Sequence, residues 1–70
     1  MNYACAGKRS WPELVGAHAG HAKAVIESEN RFVFVVIVYI GQPVTQDFRC
    51  DRVRIYQDNR GVVVRVPHIG

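Results

Sequence analysis

The sequence predicts an α+β fold: one helix packed on a small mixed β-sheet, with a long exposed loop between the first two strands. Three observations predict it. Residues 18–29 repeat apolar side chains at helical spacing, residues 32–40 are an unbroken β-branched and aromatic run, and residues 51–57 alternate basic with apolar side chains. With 70 residues, a single domain over 1–70 is expected. So small a chain buries only about 60% of its unfolded surface and benefits from a covalent staple.

Residues 1–10 read as an irregular arm. Trp11 then offers an aromatic anchor expected to plug the core; Pro12 biases it away from helix and Gly16 closes the unit. In residues 18–29, Ala19, Ala22, Val25 and Ile26 recur at spacings of three and four and define one apolar face. Lys23, Glu27 and Glu29 fall mostly elsewhere. Residues 32–40 predict a strand apolar on both faces, far short of the roughly 20 residues of a membrane span. If one face meets the helix, Phe32 and Phe34 lie on a poorly covered surface suited to a partner or to self-association. The alternative is that neighbouring side chains cover them.

Gly41 and Pro43 break regular structure, so residues 41–50 predict a loop. In the following strand, 51–57, Arg52 and Arg54 share one face while Val53 and Ile55 share the other. Two adjacent guanidinium groups repel unless something accepts their hydrogen bonds, and the loop offers Thr45 and Asp47. The simplest reading is a loop held rigid by two arginines beneath it, which makes it a binding device. Asp58-Asn59-Arg60-Gly61 predicts a turn, with Asn59 and Gly61 tolerant of positive φ. Residues 62–66 predict a third strand antiparallel to the second, and 67–70 a tail. The long excursion between the first two strands suits parallel pairing.

The net charge is +3, with the basic residues dispersed along the chain. Asp47 and Asp51 alternate with Arg49, Arg52 and Arg54 and would repel phosphate, so nucleic-acid binding is not expected. His18 and His21 lack two further zinc ligands unless Cys5 and Cys50 are unbridged, so no metal or other cofactor is expected. No glycine-rich phosphate loop, organised cysteine nucleophile or paired-carboxylate site points to an enzyme. Cys5 and Cys50 are either a bridge or two thiols, as the compartment dictates. The stretch after Met1 is polar and carries no apolar signal segment, which leaves the compartment open.

Ser10-Trp11-Pro12-Glu13-Leu14-Val15-Gly16, the run from Gly41 to Ile55, and Val66-Pro67-His68-Ile69-Gly70 together resemble the potato inhibitor I family of serine protease inhibitors. The resemblance runs from about Cys5 to Gly70 and carries three motifs in order. It implies that the loop is a reactive loop with its scissile bond between Gln46 and Asp47. Pro43, Val44, Thr45 and Phe48 would then contact a protease. Arg52 and Arg54 would brace the loop through Thr45 and Asp47, and Arg49 through the carboxylate of Gly70. A subset of the family has a bridge matching Cys5 and Cys50, which would pin the arm beneath the loop. Such a bridge favours an extracellular or vacuolar setting, with the cytosol still open. Family members often begin the helix with a good N-cap; here His18 takes that place and Gly20 the first turn, so a start weakened by about 1 kcal/mol is expected.

The implied partners are serine endopeptidases. Gln46 cannot neutralise the carboxylate of a trypsin pocket, and it suits the apolar chymotrypsin pocket only moderately. Subtilisin-like enzymes, with a broad cleft that also reads the apolar Pro43, are the expected best target. A monomer is expected. The alternative is a non-inhibitory or self-associating module that uses the apolar Phe32–Ile40 strand.

Overall fold

The computed structural model describes residues 5–70; the first four residues of the expected arm, Met1 among them, lie outside the described residues. A single 3-10 turn, Pro12–Leu14, precedes one helix, α1 (Ala19–Glu29). Three strands follow: β1 (Phe34–Tyr39), β2 (Arg52–Gln57) and β3 (His68–Ile69). They form one sheet in the order β1-β2-β3. β1 and β2 are parallel, with Phe34 opposite Arg52 and Ile37 opposite Ile55. β3 is antiparallel to β2, with Ile69 opposite Val53. The expected α+β class, one helix on a mixed sheet, is the observed one.

The helix lies where its periodicity puts it. Ala19, Ala22 and Ile26 are buried against Val35, Val53 and Ile55 from the strands. Trp11 is completely buried in the same cluster. Its indole N–H donates to Glu29 at 2.9 Å, so the one polar atom of the anchor is satisfied at the end of the helix. The helix start differs from expectation. The His18 ring caps it: Nδ1 accepts from the Gly20 N–H at 3.1 Å, so the place expected to lack a good N-cap has one.

β1 begins two residues later than expected. Asn30, 2% exposed, explains the delay. Its Oδ1 accepts from the Phe32 N–H at 2.9 Å and bends the chain there. Its amide nitrogen donates to the carbonyls of Ala6 (2.8 Å) and Lys8 (2.9 Å), which ties the arm to the end of the helix. Phe32 and Phe34 are exposed, as are Tyr39 and Ile40, so the surface expected from the apolar run does exist.

The third strand is not the one the sequence predicts. Residues 62–66 supply only isolated bridges, Val62 to His18 and Val63 to Gln57. Their hydrogen bonds are divided between two partners. Val63 exchanges bonds with Gly16 and Ala17, while Val64 donates to Tyr56. A segment shared in this way cannot run as one ladder, and Pro67 has no N–H with which to continue it. The strand lies in the expected tail instead, at His68–Ile69, where the Ile69 N–H reaches Arg9 and the Gly70 N–H reaches Arg52. The 58–61 turn forms as expected, with one difference. Gly61 has positive φ (80°) but Asn59 does not. Asp58 Oδ1 holds the turn by accepting from Arg60 (2.8 Å) and Val62 (3.0 Å).

Candidate functional site

Parallel pairing of β1 and β2 forces the connection between them to travel the length of the sheet. Residues 42–49 form that excursion without helix or strand, and all but the half-buried Val44 are exposed. Alternation along β2 aims Val53 and Ile55 at the helix and leaves Arg52 and Arg54 on the opposite face, under the loop. Their side chains are 10% and 16% exposed, so both guanidinium groups are enclosed between sheet and loop.

Each guanidinium makes specific contacts. Arg54 Nη2 donates to Thr45 Oγ1 at 2.7 Å. Arg52 Nη2 donates to the Asp47 carbonyl at 2.8 Å, and its Nη1 lies 3.4 Å from the Asp47 carboxylate. Arg52 Nε donates to the Gly70 backbone oxygen at 2.9 Å, so one side chain joins the loop to the end of β3. The Asp47 carboxylate also lies 3.9 Å from Arg54. The Thr45 hydroxyl, and after it Arg52, hold the Asp47 carboxyl at about 2, below its ordinary 3.8. Hydrogen bonds thus grip the chain immediately before and after the Gln46–Asp47 peptide.

Arg49 does not reach Gly70 as expected. It forms a two-point pair with Asp51, Nε to Oδ1 at 2.8 Å and Nη2 to Oδ2 at 2.9 Å. The Gly70 oxygen is already engaged by Arg52. The Arg49 guanidinium also lies over the Phe34 ring, 6.0 Å from its centroid. The pair lowers the Asp51 carboxyl and raises the Arg49 guanidinium, and it fixes the exit of the loop. Cys5 and Cys50 are joined in a disulfide with Cα atoms 5.1 Å apart, so the arm is bonded directly to that exit.

The sequence reading missed two contributors. Asp51 was legible as a partner, since in extended chain it shares a face with Arg49 two residues away. Gln42 carried no such signal. Its backbone N–H donates to the Tyr39 carbonyl at 3.0 Å and its side-chain Oε1 accepts from the Tyr39 N–H at 3.1 Å. Gly41, at φ 85°, makes that turn possible.

Comparison with known proteins agrees with this architecture. The family model of the potato inhibitor I family matches residues 3–70. The Glu S. griseus protease inhibitor of Momordica charantia is 62% identical over 66 residues, covering 94% of this chain and 97% of that protein. The inhibitor of trypsin and Hageman factor of Cucurbita maxima is 56% identical over 66 residues, with the same coverage of 94% and 97%. The crystal structure of bitter gourd trypsin inhibitor matches with a TM-score of 0.94 at 54% identity, covering 97% of this chain and 100% of that one.

Proposed function

The chain belongs to the potato inhibitor I family of serine protease inhibitors, and from that membership we propose that it inhibits by presenting residues 43–48 as a rigid substrate, with Gln46–Asp47 as the reactive bond. The observation that carries this reading is the double grip: Arg54 on Thr45 before the bond and Arg52 on Asp47 after it. A loop ordered during folding spares the protease complex an ordering cost of about 0.5–1.5 kcal/mol per side chain. When the protease cuts, the new amine of Asp47 stays beside the acyl carbon of Gln46, because Arg52 still holds the Asp47 carbonyl. Religation then competes with hydrolysis.

The pocket-filling residue is Gln46, flanked by Thr45, Val44 and Pro43 on the acyl side and by Phe48 beyond Asp47. Several relatives are named for trypsin, whose pocket carries a carboxylate that wants a cation; Gln46 leaves that carboxylate unpaired. Subtilisin-like proteases, which tolerate a neutral polar residue and read Pro43 as well, are the best target. A second reading comes from the Momordica charantia relative, named for a Glu protease. Gln46 has the length of glutamate and its carbonyl oxygen, but not its charge, so it would enter such a pocket weakly.

The test is a titration of subtilisin, chymotrypsin, trypsin and a glutamate-specific protease with the purified protein, with intact mass read after long incubation. Tight inhibition of subtilisin with slow cleavage at Gln46–Asp47 is the expected result. Gln46→Lys should switch on trypsin inhibition, and Gln46→Glu should favour the glutamate-specific enzyme. Cleavage elsewhere, or specificity blind to both substitutions, would remove the assignment of Gln46.

A further inference from the structure

We propose that Gln42 is a positioning residue for the loop, a two-point clasp that sets the direction in which the acyl-side stem leaves the sheet; this rests on the reading of 43–48 as the protease-contacting segment. Tyr39 and Gln42 exchange two hydrogen bonds, one backbone to backbone at 3.0 Å and one from the Tyr39 N–H to the Gln42 side chain at 3.1 Å. Together they close a ring around Gly41. That ring matters because little else constrains Gly41: nothing lies within 4 Å of where its Cβ would be, and glycine is the most permissive residue of the backbone.

The rest of the stem is stiff. Pro43 has a locked φ, Val44 is half-buried, and Thr45 is held by Arg54. A stiff segment on a loose pivot would swing as a unit. The clasp removes that freedom at the pivot, much as Arg49–Asp51 and the disulfide remove it at the exit.

The Tyr39 N–H points away from β2. Phe34 and Ile40 donate toward β2, to Asp51 and Gln57, and alternation sends the amide of Tyr39 to the opposite, exposed edge. Water can replace Gln42 there at small cost to folding. Losing the clasp should therefore disturb the loop far more than the fold, and that split separates positioning from mere stabilisation.

The experiment compares Gln42→Leu, which keeps an uncharged branched side chain but loses the acceptor, with Gln42→Glu, which keeps an acceptor oxygen. Inhibition of subtilisin, cleavage at Gln46–Asp47, thermal stability and amide exchange of Tyr39 are measured for each. Gln42→Leu should weaken inhibition about tenfold and speed cleavage, with Tm nearly unchanged and the Tyr39 amide exchanging faster. Gln42→Glu should restore both inhibition and protection. Unchanged inhibition in Gln42→Leu, or a loss that tracks a matching fall in Tm, would overturn the proposal. Amide exchange is read on the uncomplexed protein. If the wild type inhibits no protease, the loop reading fails, while unaltered Tyr39 exchange would overturn the clasp on its own.

Discussion

Asp47 meets the scaffold twice, through its carbonyl and through its carboxylate, and only the second contact can titrate. Its carboxyl is held at about 2 against an ordinary 3.8, so its ionised form is favoured by folding. The sign follows: the contribution is complete above about pH 4 and disappears as pH falls through about 2. Asp47→Asn should therefore lower Tm at neutral pH, and the gap to the wild type should close between those limits. A gap independent of pH would show that the charge does nothing. Arg52→Ala with Arg54→Ala should turn the protein into a substrate, cleaved at Gln46–Asp47 many-fold faster at a mass read-out. Unchanged resistance would sink the bracing role. Both arginines, Thr45 and Asp47 were legible in the sequence because strand alternation forces the cations under the loop. The partner of Arg49 was misassigned, since a nearby acid two residues on wins over a distant terminal group.

At the scale of elements, β1 is an edge strand that bears exposed Phe34 and Tyr39, a combination that invites pairing with a second copy. Two side chains obstruct it. Glu27 Oε2 accepts from the Val35 N–H at 2.9 Å, and Gln42 occupies the Tyr39 N–H four residues along. Glu27→Ala should expose the first of these donors and produce concentration-dependent association in sedimentation, whereas Glu27→Gln, which keeps an acceptor oxygen, should behave like the wild type. Monomeric behaviour of both variants would mean that Glu27 is not what keeps the edge from pairing. The helix and the first two strands were legible from periodicity. The last strand was not: Val62, Val63 and Val64 have the composition of a strand, but their bonds are shared between two neighbours. His68 and Ile69 look like a tail until Arg9 and Arg52 supply their partners. Composition records local preference, and here tertiary pairing decided. The His18 cap was hidden for a similar reason, because a ring nitrogen becomes a cap only in the right rotamer.

At the scale of the whole molecule, the described part of the arm is fastened by Asn30 to Ala6 and Lys8, by Arg9 to Ile69, and by the disulfide. The Lys8 ion pairs with Glu13 and Glu29 are exposed and add little. Replacing Cys5 and Cys50 by serine should cost up to about 4 kcal/mol in denaturant unfolding, the chain-entropy value for so long a closure. A loss well under 1 kcal/mol would mean that Asn30 and Arg9 already restrict the arm.

The two cysteines lie 45 positions apart and enclose both Gln46 and Asp47. Between them the polypeptide is topologically a circle, and hydrolysing one peptide within a circle linearises it without dividing the molecule. Under non-reducing conditions the nicked protein should run as one species, heavier than the intact one by a single water. Only after reduction should it separate into 1–46 and 47–70. Reductant thus decides whether a cut at this bond is a reversible hydrolysis or a permanent loss.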